Sequence, residues 1–303
     1  MEYADVHPDE LLAPGHRACH GCGMALATRH ILRATGNNVV VVTPTGCLET
    51  FTSPYGYSSW RVPWIHHLFE NAPAVAAGVA AALRFQGRDQ VRVVAIGGDG
   101  GTFDIGFGAL SGMLDRGDDV LYVCVDNGAF MNTGGQMSGA TPMYAATTTA
   151  PPGILSPGKL RPKKDLPGIV GAHGIPYVAT ASIAYLRDLR SKVERAMKYR
   201  GPRYIQVDTP CPSGWGFASD RTLEVARLGV QCGLVPLFEI EHGQITKVRR
   251  IAKRVPVADY LAAQRRFQHL FASPEGEQQI AALQALADEN VRRYGLEATT
   301  HEE

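Results

Sequence analysis

Residues 96–136 read IGGDGGTFDIGFGALSGMLDRGDDVLYVCVDNGAFMNTGGQ, and this stretch decides the fold. It follows an apolar strand pattern, VRVVAI at 91–96, that runs directly into a glycine cluster; a helix pattern over about 105–116 then leads to a second apolar strand, VLYVCV. Glycines at the end of a strand let backbone N–H groups approach a phosphate, and the N-terminus of the next helix favours an anion. The stretch therefore predicts a phosphate-binding turn at the carboxyl ends of parallel strands, where open α/β sheets bind ligands.

Two oxygen-bearing side chains flank this turn. Asp99 lies within the glycine cluster, and Asn127 directly follows the second strand. The 26 residues 101–126 separate Asn127 from the Gly-Asp-Gly motif at 98–100. A carboxylate and an amide oxygen beside a diphosphate suit Mg²⁺, which takes a few protein ligands together with phosphate oxygens. The glycines are not spaced G-x-G-x-x-G, and no G-K-[ST] follows them, so neither a Rossmann fingerprint nor a P-loop is indicated. A plain glycine-rich turn with an exposed Asp is the simpler interpretation. The position of Asn127, at the end of a second apolar strand, weighs against it.

Composition restricts the class of protein. The chain has 303 residues, 45% of them hydrophobic, with 33 glycines and a net charge of +1, as in an α/β enzyme. This charge offers no electrostatic basis for binding nucleic acid or an anionic membrane. No apolar run reaches the roughly 18 residues of a membrane span, and the N-terminus, MEYADVHPDELL, lacks the apolar core of a signal peptide. We therefore expect a cytoplasmic protein whose six cysteines are thiols or metal ligands rather than disulfides.

The rest of the chain alternates between strand and helix patterns, which predicts an α/β fold with a doubly wound, mostly parallel sheet. A loop over 138–164, rich in Thr, Pro and Gly, interrupts the alternation, and we interpret it as a cover over a ligand or a surface for a partner chain. We predict an extended arm at 1–18, helices near 24–34, 72–85, 166–172 and 183–199, and the strands NVVVVTPT, IPYVATA and RYIQVDTP, the last of which ends the sheet.

Four cysteines are predicted to lie at the same edge of the sheet. Cys19 and Cys22 form a C-x-x-C next to a helix N-terminus, Cys47 follows the first core strand, and Cys211 follows the last. Four thiolates brought together in this way could hold a [4Fe–4S] cluster or a structural Zn²⁺.

Other interpretations of the cysteines remain open at this point. A C-x-x-C also occurs in redox-active pairs, and His20 with the following GCG could form a zinc knuckle. Iron–sulfur ligands, zinc ligands and structural thiols are therefore all consistent with the spacing. Cys124, inside VLYVCV, and Cys232, in an apolar segment, are expected to be buried as small hydrophobic residues.

The motifs occur in an order that resembles the β (thiamine-diphosphate-binding) subunit of the 2-oxoacid:ferredoxin oxidoreductases, most closely the pyruvate branch. The resemblance extends over about residues 15–271 and joins a thiamine motif to a four-cysteine set. It rests on CHGCG, TPTGC, VPWIHHLFENA, GDGGTFDIG, DNGAFMNTGGQ, TTTAPPG, IPYVATAS, DTPCPSGW and YLAAQRRFQHL.

The resemblance implies two metal sites. It assigns a [4Fe–4S] cluster to Cys19, Cys22, Cys47 and Cys211. It assigns Mg²⁺ to Asp99, Asn127 and the backbone carbonyl of Ala129.

The resemblance also implies contacts to thiamine diphosphate. Gly98, Gly100 and Gly101 would lie along the diphosphate, and Asn132 would be a catalytic residue close to the diphosphate or the reacting centre. One position departs from the family pattern, because Met24 stands where relatives often carry an acidic residue after GCG.

The implied domains follow these sites. Residues 1–213 would form the thiamine-diphosphate domain with its Mg²⁺ and [4Fe–4S] sites, and residues 214–303 would form an extension that packs on partner subunits rather than around a core of its own. Within the extension we predict a short helix near 224–231, a hairpin, LFEIEHGQITKV, and two amphipathic helices near 257–271 and 274–294.

The implied activity is that of a coenzyme A-dependent 2-oxoacid:acceptor oxidoreductase. A 2-oxoacid, with pyruvate as the leading choice, would be oxidatively decarboxylated to acyl-CoA and CO₂, and the thiamine enamine would pass single electrons to the nearby cluster. The implied partners are an α subunit, ferredoxin-like γ/δ subunits, and ferredoxin or another acceptor. The same chemistry on an aryl or branched 2-oxoacid such as phenylglyoxylate, a non-redox thiamine decarboxylase or carboligase, and an assembly scaffold are the alternatives.

A thiamine enzyme also needs a glutamate at the aminopyrimidine, which the resemblance assigns to a partner chain. Glu49 and Glu70 are the candidates near the motifs here, and we interpret Glu70 as an interface group. His66 and His67 could approach a cofactor, although we interpret them as loop residues packed beside Trp64.

Overall fold

One eight-stranded sheet organises the computed structural model, which describes residues 10–298. In chain order the strands are β1 (Val39–Pro44), β2 (Trp64–His67), β3 (Arg92–Gly98), β4 (Val120–Asp126), β5 (Pro152–Gly153), β6 (Ser156–Pro157), β7 (Tyr177–Ser182), β8 (Arg203–Asp208), β9 (Phe238–Glu241) and β10 (Gln244–Val248). The spatial order is β10-β9-β7-β8-β4-β3-β1-β2, and β5 with β6 forms a separate ribbon. The six strands from β7 to β2 in this order run parallel to one another, as predicted.

Helices cover both faces of the sheet. The α-helices are α1 (Gly23–Thr35), α2 (Cys47–Thr52), α3 (Ala72–Phe85), α4 (Phe107–Asp115), α5 (Leu166–Gly171), α6 (Leu186–Lys198), α7 (Pro212–Trp215), α8 (Thr222–Gln231), α9 (Val257–Ala262) and α10 (Gly276–Tyr294). Helices α1 and α6 pack on one face, and α3, α4 and α5 pack on the other. No helix within 10–298 is long and apolar enough to cross a membrane.

Side chains of the central strands alternate between these two layers. In β4, Leu121 and Val123 face the layer of α1 and α6, whereas Tyr122 and Cys124 face the layer of α3 and α4. Because both faces are buried, the strand is apolar throughout rather than alternating between apolar and polar residues. The doubly wound sheet predicted from the sequence is confirmed.

Two sequence predictions about the sheet are wrong. The segment with His66 and His67 is not a loop but the edge strand β2, whose main chain pairs with β1. RYIQVDTP does not supply the last strand, because the hairpin of β9 and β10 adds to the sheet beside β7. Tyr177 fixes this addition by donating a hydrogen bond of 2.6 Å to Glu239, a pairing between distant segments that local patterns do not reveal.

The hairpin itself is confirmed. It turns at His242 and Gly243, whose φ angles of 49° and 80° both lie in the left-handed region, as two-residue hairpin turns require. The pairing of β10 with β9 contains a bulge between Ile245 and Lys247, where the register shifts.

The residues after 213 form a third hydrophobic cluster from Trp215, α8–α10 and the 3₁₀ segment Arg265–Phe271. Ala145 and Cys211 join this cluster, and Ala226 of α8 packs with the layer of α1 and α6, so the segment is continuous with the body of the chain. Packing of this extension on partner subunits stays a prediction. Of the arm predicted at 1–18, residues 1–9 lie outside the described residues.

The amino edge of the sheet is closed by one carboxylate that faces three arginines. Asp119, directly before β4, accepts hydrogen bonds from Arg92 at 3.4 Å, from Arg200 at 2.9 Å, and from the fully buried Arg203. Burial alone would raise the pKa of Asp119, but the three guanidinium groups outweigh it and hold the pKa below its usual range. Arg203 therefore depends on Asp119 for its counter-charge.

We expect Asp119→Asn to lower the free energy of unfolding by about 3 kcal/mol, because it leaves the buried charge of Arg203 unpaired. The matched control is Asp118→Asn, whose carboxylate pairs with the exposed Arg116 and should contribute less than about 1 kcal/mol. Urea unfolding of both variants at neutral pH measures the difference. Equal losses would contradict this account of the amino edge.

Candidate functional site

The glycine cluster forms a π-helical turn at the carboxyl end of β3. The turn covers Gly100–Ile105 and passes into α4 at Phe107. Gly106 at the junction is required, because a Cβ there would lie 2.2 Å from the carbonyl oxygen of Gly101. Such π-helical turns are rare and occur frequently at functional sites.

The three glycines predicted along the diphosphate have different surroundings. A Cβ on Gly98 would meet no atom within 4 Å, so the backbone there is open to a ligand. A Cβ on Gly100 would lie 2.4 Å from the ring of Phe130, and one on Gly101 would lie 3.1 Å from the carbonyl oxygen of Phe69. Gly98 thus leaves room for a ligand to approach its backbone closely. Gly100 and Gly101 are in addition packed against Phe130 and Phe69, which leave no room for a side chain.

Three oxygen atoms converge where β3 and β4 end. The side-chain amide of Asn127 presents its oxygen to the Ala129 carbonyl oxygen at 2.9 Å and to Asp99 Oδ1 at 3.1 Å. Three oxygens facing one another repel unless something lies between them. A cation between them would remove the repulsion, and so would rotation of the amide, which would turn its NH₂ toward both oxygens. Neighbouring ligands of an octahedral Mg²⁺, each about 2.0–2.1 Å from the ion, lie about 2.9 Å apart. The three groups that the resemblance assigns to Mg²⁺ therefore lie together, and the separations of 2.9 and 3.1 Å suit an octahedral ion as well as they suit hydrogen bonds from the rotated amide.

The Asp99 carboxylate is almost fully buried, with 1% of its surface exposed. Its Oδ1 accepts a hydrogen bond of 3.4 Å from the Asn127 N–H, and its Oδ2 accepts one of 2.5 Å from the Ser138 hydroxyl. Burial, and next the Asp126 carboxylate, raise the pKa of Asp99 to about 8. The site disfavours an isolated negative charge and would gain from a bound cation.

The loop over 138–164 is fixed across these strand ends by a buried lysine. Lys159 donates hydrogen bonds to the carbonyl oxygens of Ser138 at 3.2 Å, Gly139 at 3.2 Å and Thr141 at 2.6 Å. The ammonium group thus holds the backbone that carries the Ser138 hydroxyl against Asp99. Burial is also the main reason why the pKa of Lys159 is lowered to about 8.

A second lysine ties the same loop to β4. Lys163 pairs with the buried carboxylate of Asp126, which also accepts a hydrogen bond of 2.9 Å from Gln206. Sequence reasoning missed Asp126, Ser138, Lys159 and Lys163. Lysines in a polar loop are normally solvated, and no spacing signal shows that these two are drawn inward.

The four predicted cluster ligands come from three separate segments. Cys19 and Cys22 precede α1, Cys47 begins α2, and Cys211 precedes α7, where its Sγ accepts a hydrogen bond of 3.3 Å from the Gly214 N–H. Burial, and then Cys211 and Cys22, raise the pKa of Cys47 to about 12, and Asp99 adds to this effect. The thiols are thus close enough to influence one another and the carboxylate site. Cys124 and Cys232 are buried among apolar side chains, as predicted.

The two candidate metal centres would use these thiols differently. Within residues 10–298, no three His, Cys, Asp or Glu side chains are gathered around a single metal position. A structural zinc site needs four ligands at about 2.0–2.3 Å from one ion. A four-iron cluster binds each cysteine through a different iron and so holds the sulfurs farther apart.

The remaining candidates lie around this edge. Asn132 is exposed in a 3₁₀ turn, Met131–Thr133, that follows β4. Glu49 accepts a hydrogen bond of 2.8 Å from the Ser53 hydroxyl within its own helix. His66 stacks on Trp64 with ring centroids 6.2 Å apart. Met24 is buried in α1, so it contributes to the core of this chain.

Known proteins are similar to this chain in sequence and in fold. A family model described as thiamine pyrophosphate enzyme, C-terminal TPP binding domain, matches residues 44–207. Pyruvate synthase subunit PorB of Methanosarcina barkeri is 52% identical over 96% of this chain and 98% of its own length. PorB of Methanocaldococcus jannaschii is 48% identical over 95% of this chain and 97% of its own length. The fold resembles the 2-oxoglutarate:ferredoxin oxidoreductase of Magnetococcus marinus, solved with 2-oxoglutarate, coenzyme A and succinyl-CoA bound (TM-score 0.55, 24% identity, 69% of this chain and 76% of that one).

The contrast between two neighbouring glycines can be tested by stability. Gly100→Ala should lower the free energy of unfolding by about 1–3 kcal/mol, because its Cβ overlaps the Phe130 ring. Gly98→Ala should stay within about 0.5 kcal/mol of wild type, because the added methyl group meets open space. Urea unfolding of the two variants measures both effects, and a larger loss for Gly98→Ala would refute the packing argument.

Proposed function

The chain belongs to the family of pyruvate synthase subunit PorB, the thiamine-diphosphate-binding β subunits of the 2-oxoacid:ferredoxin oxidoreductases, and from this premise we propose how its residues act. We infer that it is the catalytic subunit for coenzyme A-dependent oxidation of a 2-oxoacid, pyruvate first, to acyl-CoA and CO₂. Electrons leave through a [4Fe–4S] cluster held by this chain. The observation that carries the proposal is the oxygen triad at Asp99, Asn127 and Ala129, close to four cysteines on the same edge of the sheet.

The oxygen triad is proposed to hold Mg²⁺ against the diphosphate of the cofactor. When bound, thiamine diphosphate supplies the nucleophilic carbon and the electron sink for decarboxylation. Asp99 contributes charge, and Asn127 and the Ala129 carbonyl contribute neutral oxygens, which leaves positions on the ion for phosphate oxygens and water. Gly98 lets the diphosphate approach the backbone, and Ser138 orients the carboxylate through its hydrogen bond.

The four cysteines are proposed to provide the outlet for electrons. A [4Fe–4S] cluster accepts single electrons at a potential set by its charge, burial and hydrogen bonds to sulfur. The burial of Cys47 and the N–H of Gly214 at Cys211 Sγ are two of these influences. Thiols with raised pKa values ionise on binding iron, because a metal deprotonates a coordinating thiol outright.

Asn132 is proposed as a catalytic residue near the diphosphate or the reacting carbon. Asn132 lies three residues after Ala129, the last member of the triad in sequence, and its side chain is exposed in this chain. An amide here can donate a hydrogen bond to a 2-oxoacid oxygen or to the diphosphate and so orient it.

We propose that the active enzyme is a hetero-oligomer with an α subunit and ferredoxin-like subunits. The resemblance assigns the glutamate at the aminopyrimidine to a partner chain, and the Glu49 carboxylate is already engaged by the Ser53 hydroxyl at the end of α2. The sequence has no C-x-x-C-x-x-C-x-x-x-C-P run, so electrons would need another subunit to reach ferredoxin. Residues 1–213 would carry the cofactor sites and 214–303 the extension toward partners, in a complex predicted from sequence to be cytoplasmic.

Removal of the charged ligand tests the magnesium site. Asp99→Asn should weaken binding of Mn²⁺, used as a paramagnetic substitute for Mg²⁺ together with thiamine diphosphate, by at least about 10-fold, because even outer-shell changes cost 10–100-fold. Electron paramagnetic resonance of free Mn²⁺ measures the affinity. Asp115→Asn, on the exposed end of α4, is the control and should leave it unchanged. Unaltered Mn²⁺ binding by Asp99→Asn would contradict the assignment.

Substrate and redox class are tested together in the anaerobically purified complex. With thiamine diphosphate and coenzyme A, viologen reduction is followed across pyruvate, 2-oxoisovalerate, 2-oxoglutarate and phenylglyoxylate, and pyruvate should give the highest kcat/KM. Cys47→Ala should lose cluster iron and reduce viologen at least about 100-fold more slowly, since the electron outlet is removed. Cys232→Ala, which changes a buried apolar thiol, should keep its iron.

Three results would overturn the proposed function. Zinc in place of iron would remove the electron outlet. Decarboxylation without viologen reduction would indicate a non-redox thiamine enzyme. Failure to bind thiamine diphosphate at all would indicate a scaffold.

A further inference from the structure

The one-turn helix α7 lies between the cysteine site and the oxygen triad. At its start, the Gly214 N–H donates to Cys211 Sγ at 3.3 Å, and the Trp215 N–H donates to the Cys211 carbonyl oxygen at 2.8 Å. At its end, the Trp215 indole N–H donates a hydrogen bond of 2.7 Å to the Asn127 carbonyl oxygen. A single turn of helix therefore joins a proposed cluster ligand to a proposed magnesium ligand.

The backbone of Asn127 is held on both sides of its Cα, through the peptide group that precedes it and the one that follows it. Its N–H points to Asp99 Oδ1, and its carbonyl oxygen points to Trp215, which is 2% exposed. Without the indole donor this buried carbonyl would lack a partner, and rotation of the peptide toward another donor would relieve the cost. We expect such a rotation of the 127–128 peptide to displace the side-chain amide of Asn127 and, through Gly128, the carbonyl group of Ala129, the two neutral members of the triad.

A second contact joins α7 to the same loop. A Cβ on Gly214 would lie 2.1 Å from Met131 Sδ, so Met131 packs directly against the helix. Met131 precedes Asn132 in the loop after β4. The loop is thus attached to α7 at two points four residues apart, Asn127 and Met131.

Trp215 is itself fixed from the opposite side. The guanidinium carbon of Arg266 lies 3.7 Å from the centroid of the indole ring, and Arg266 Nε donates to Gln264 at 2.8 Å. Arg266 is 6% exposed, so this cation–π contact is shielded from water. Such contacts are strongest when they are desolvated. The indole is clamped between the C-terminal extension and the loop after β4.

We propose that Trp215 is a positioning residue that couples Cys211 to the loop 127–132 through α7 and so fixes the cluster relative to the thiamine cofactor. This inference rests on the proposed function, because it takes the two sites as cluster and magnesium ligands. It assigns to the C-terminal extension, through Arg266, a part in aligning the two centres. Displacement of the loop is transmitted to Cys211, and displacement of Cys211 to the loop.

The test is Trp215→Phe in the intact complex, which removes the indole N–H and keeps an aromatic ring beneath Arg266. We expect Mn²⁺ affinity to fall by about 10-fold, as for loss of an outer-shell partner. We also expect the electron paramagnetic resonance spectrum of the reduced cluster to shift while the iron content stays at the wild-type value. Trp64→Phe is the matched control, since it removes an indole N–H that donates to Thr43 at 2.9 Å, and it should change neither signal.

Hydrogen exchange separates this inference from the proposed function, because it needs neither metal. In Trp215→Phe, backbone amides of both 127–133 and 212–216 should exchange faster, whereas faster exchange in only one segment would refute the coupling. A change in Mn²⁺ affinity with an unaltered cluster spectrum would refute it too. Absence of iron from the wild type, with coupled exchange intact, would instead refute the cluster assignment.

A second variant guards against misfolding. Gly214→Ala places a methyl group 2.1 Å from Met131 Sδ and 3.4 Å from Cys211 Sγ without touching the indole. Because the methyl group contacts Cys211 directly, the Mn²⁺ affinity is the decisive signal for this variant, and it should fall as in Trp215→Phe. An unaltered Mn²⁺ affinity would overturn the proposal.

Discussion

Burial of the Asp99 carboxylate at the end of β3 is the constraint on which the rest of the site depends. A carboxylate out of contact with water is costly unless hydrogen bonds or a cation compensate for the lost solvation. Here the compensation comes from the Asn127 N–H on the next strand and from the Ser138 hydroxyl in the long loop. The loop can supply that hydroxyl because the buried Lys159 ammonium group donates hydrogen bonds to the backbone carbonyl oxygens of Ser138 and Thr141. The conformation of two loops thus follows from the needs of one buried charge.

The order of strands explains why two kinds of ligand meet at one edge. Four adjacent strands, β8, β4, β3 and β1, end beside one another. The inner pair is followed by Asn127 and Asp99, which supply oxygen, and the outer pair is followed by Cys211 and Cys47, which supply sulfur. In strand order the oxygen-bearing residues therefore lie between the two cysteines, and Asp99 contributes to the raised pKa of Cys47. If the proposed sites hold a cofactor and an electron outlet, the strand order alone would make the two neighbours.

Local patterns predicted most of this arrangement, and they failed where distant segments decide. Apolar runs bounded by glycine located the central strands, and α3 spans 72–85 as expected, because each pattern reports its own element. The edge strand β2 escaped notice because WIHH is short and partly polar. The inward turn of Lys159 and Lys163 depends on carboxylates and carbonyls that the chain brings near only after folding. Gly100 was predicted to lie along the diphosphate, and the Phe130 ring is a second reason for a glycine there that no spacing could show.

The two outer strands of the sheet have a consequence for assembly. Strand β2 has only four residues, and β10 carries a bulge and an exposed lysine, Lys247. Short length, bulges and lysine are features by which proteins discourage the addition of a foreign strand. The sheet is therefore poorly suited to continuing into a neighbouring chain, and recognition between subunits is expected to rely on loop and helix surfaces. Contacts of that kind would leave the hydrogen-bonded sheet, at whose edge the proposed ligands lie, unaltered on assembly.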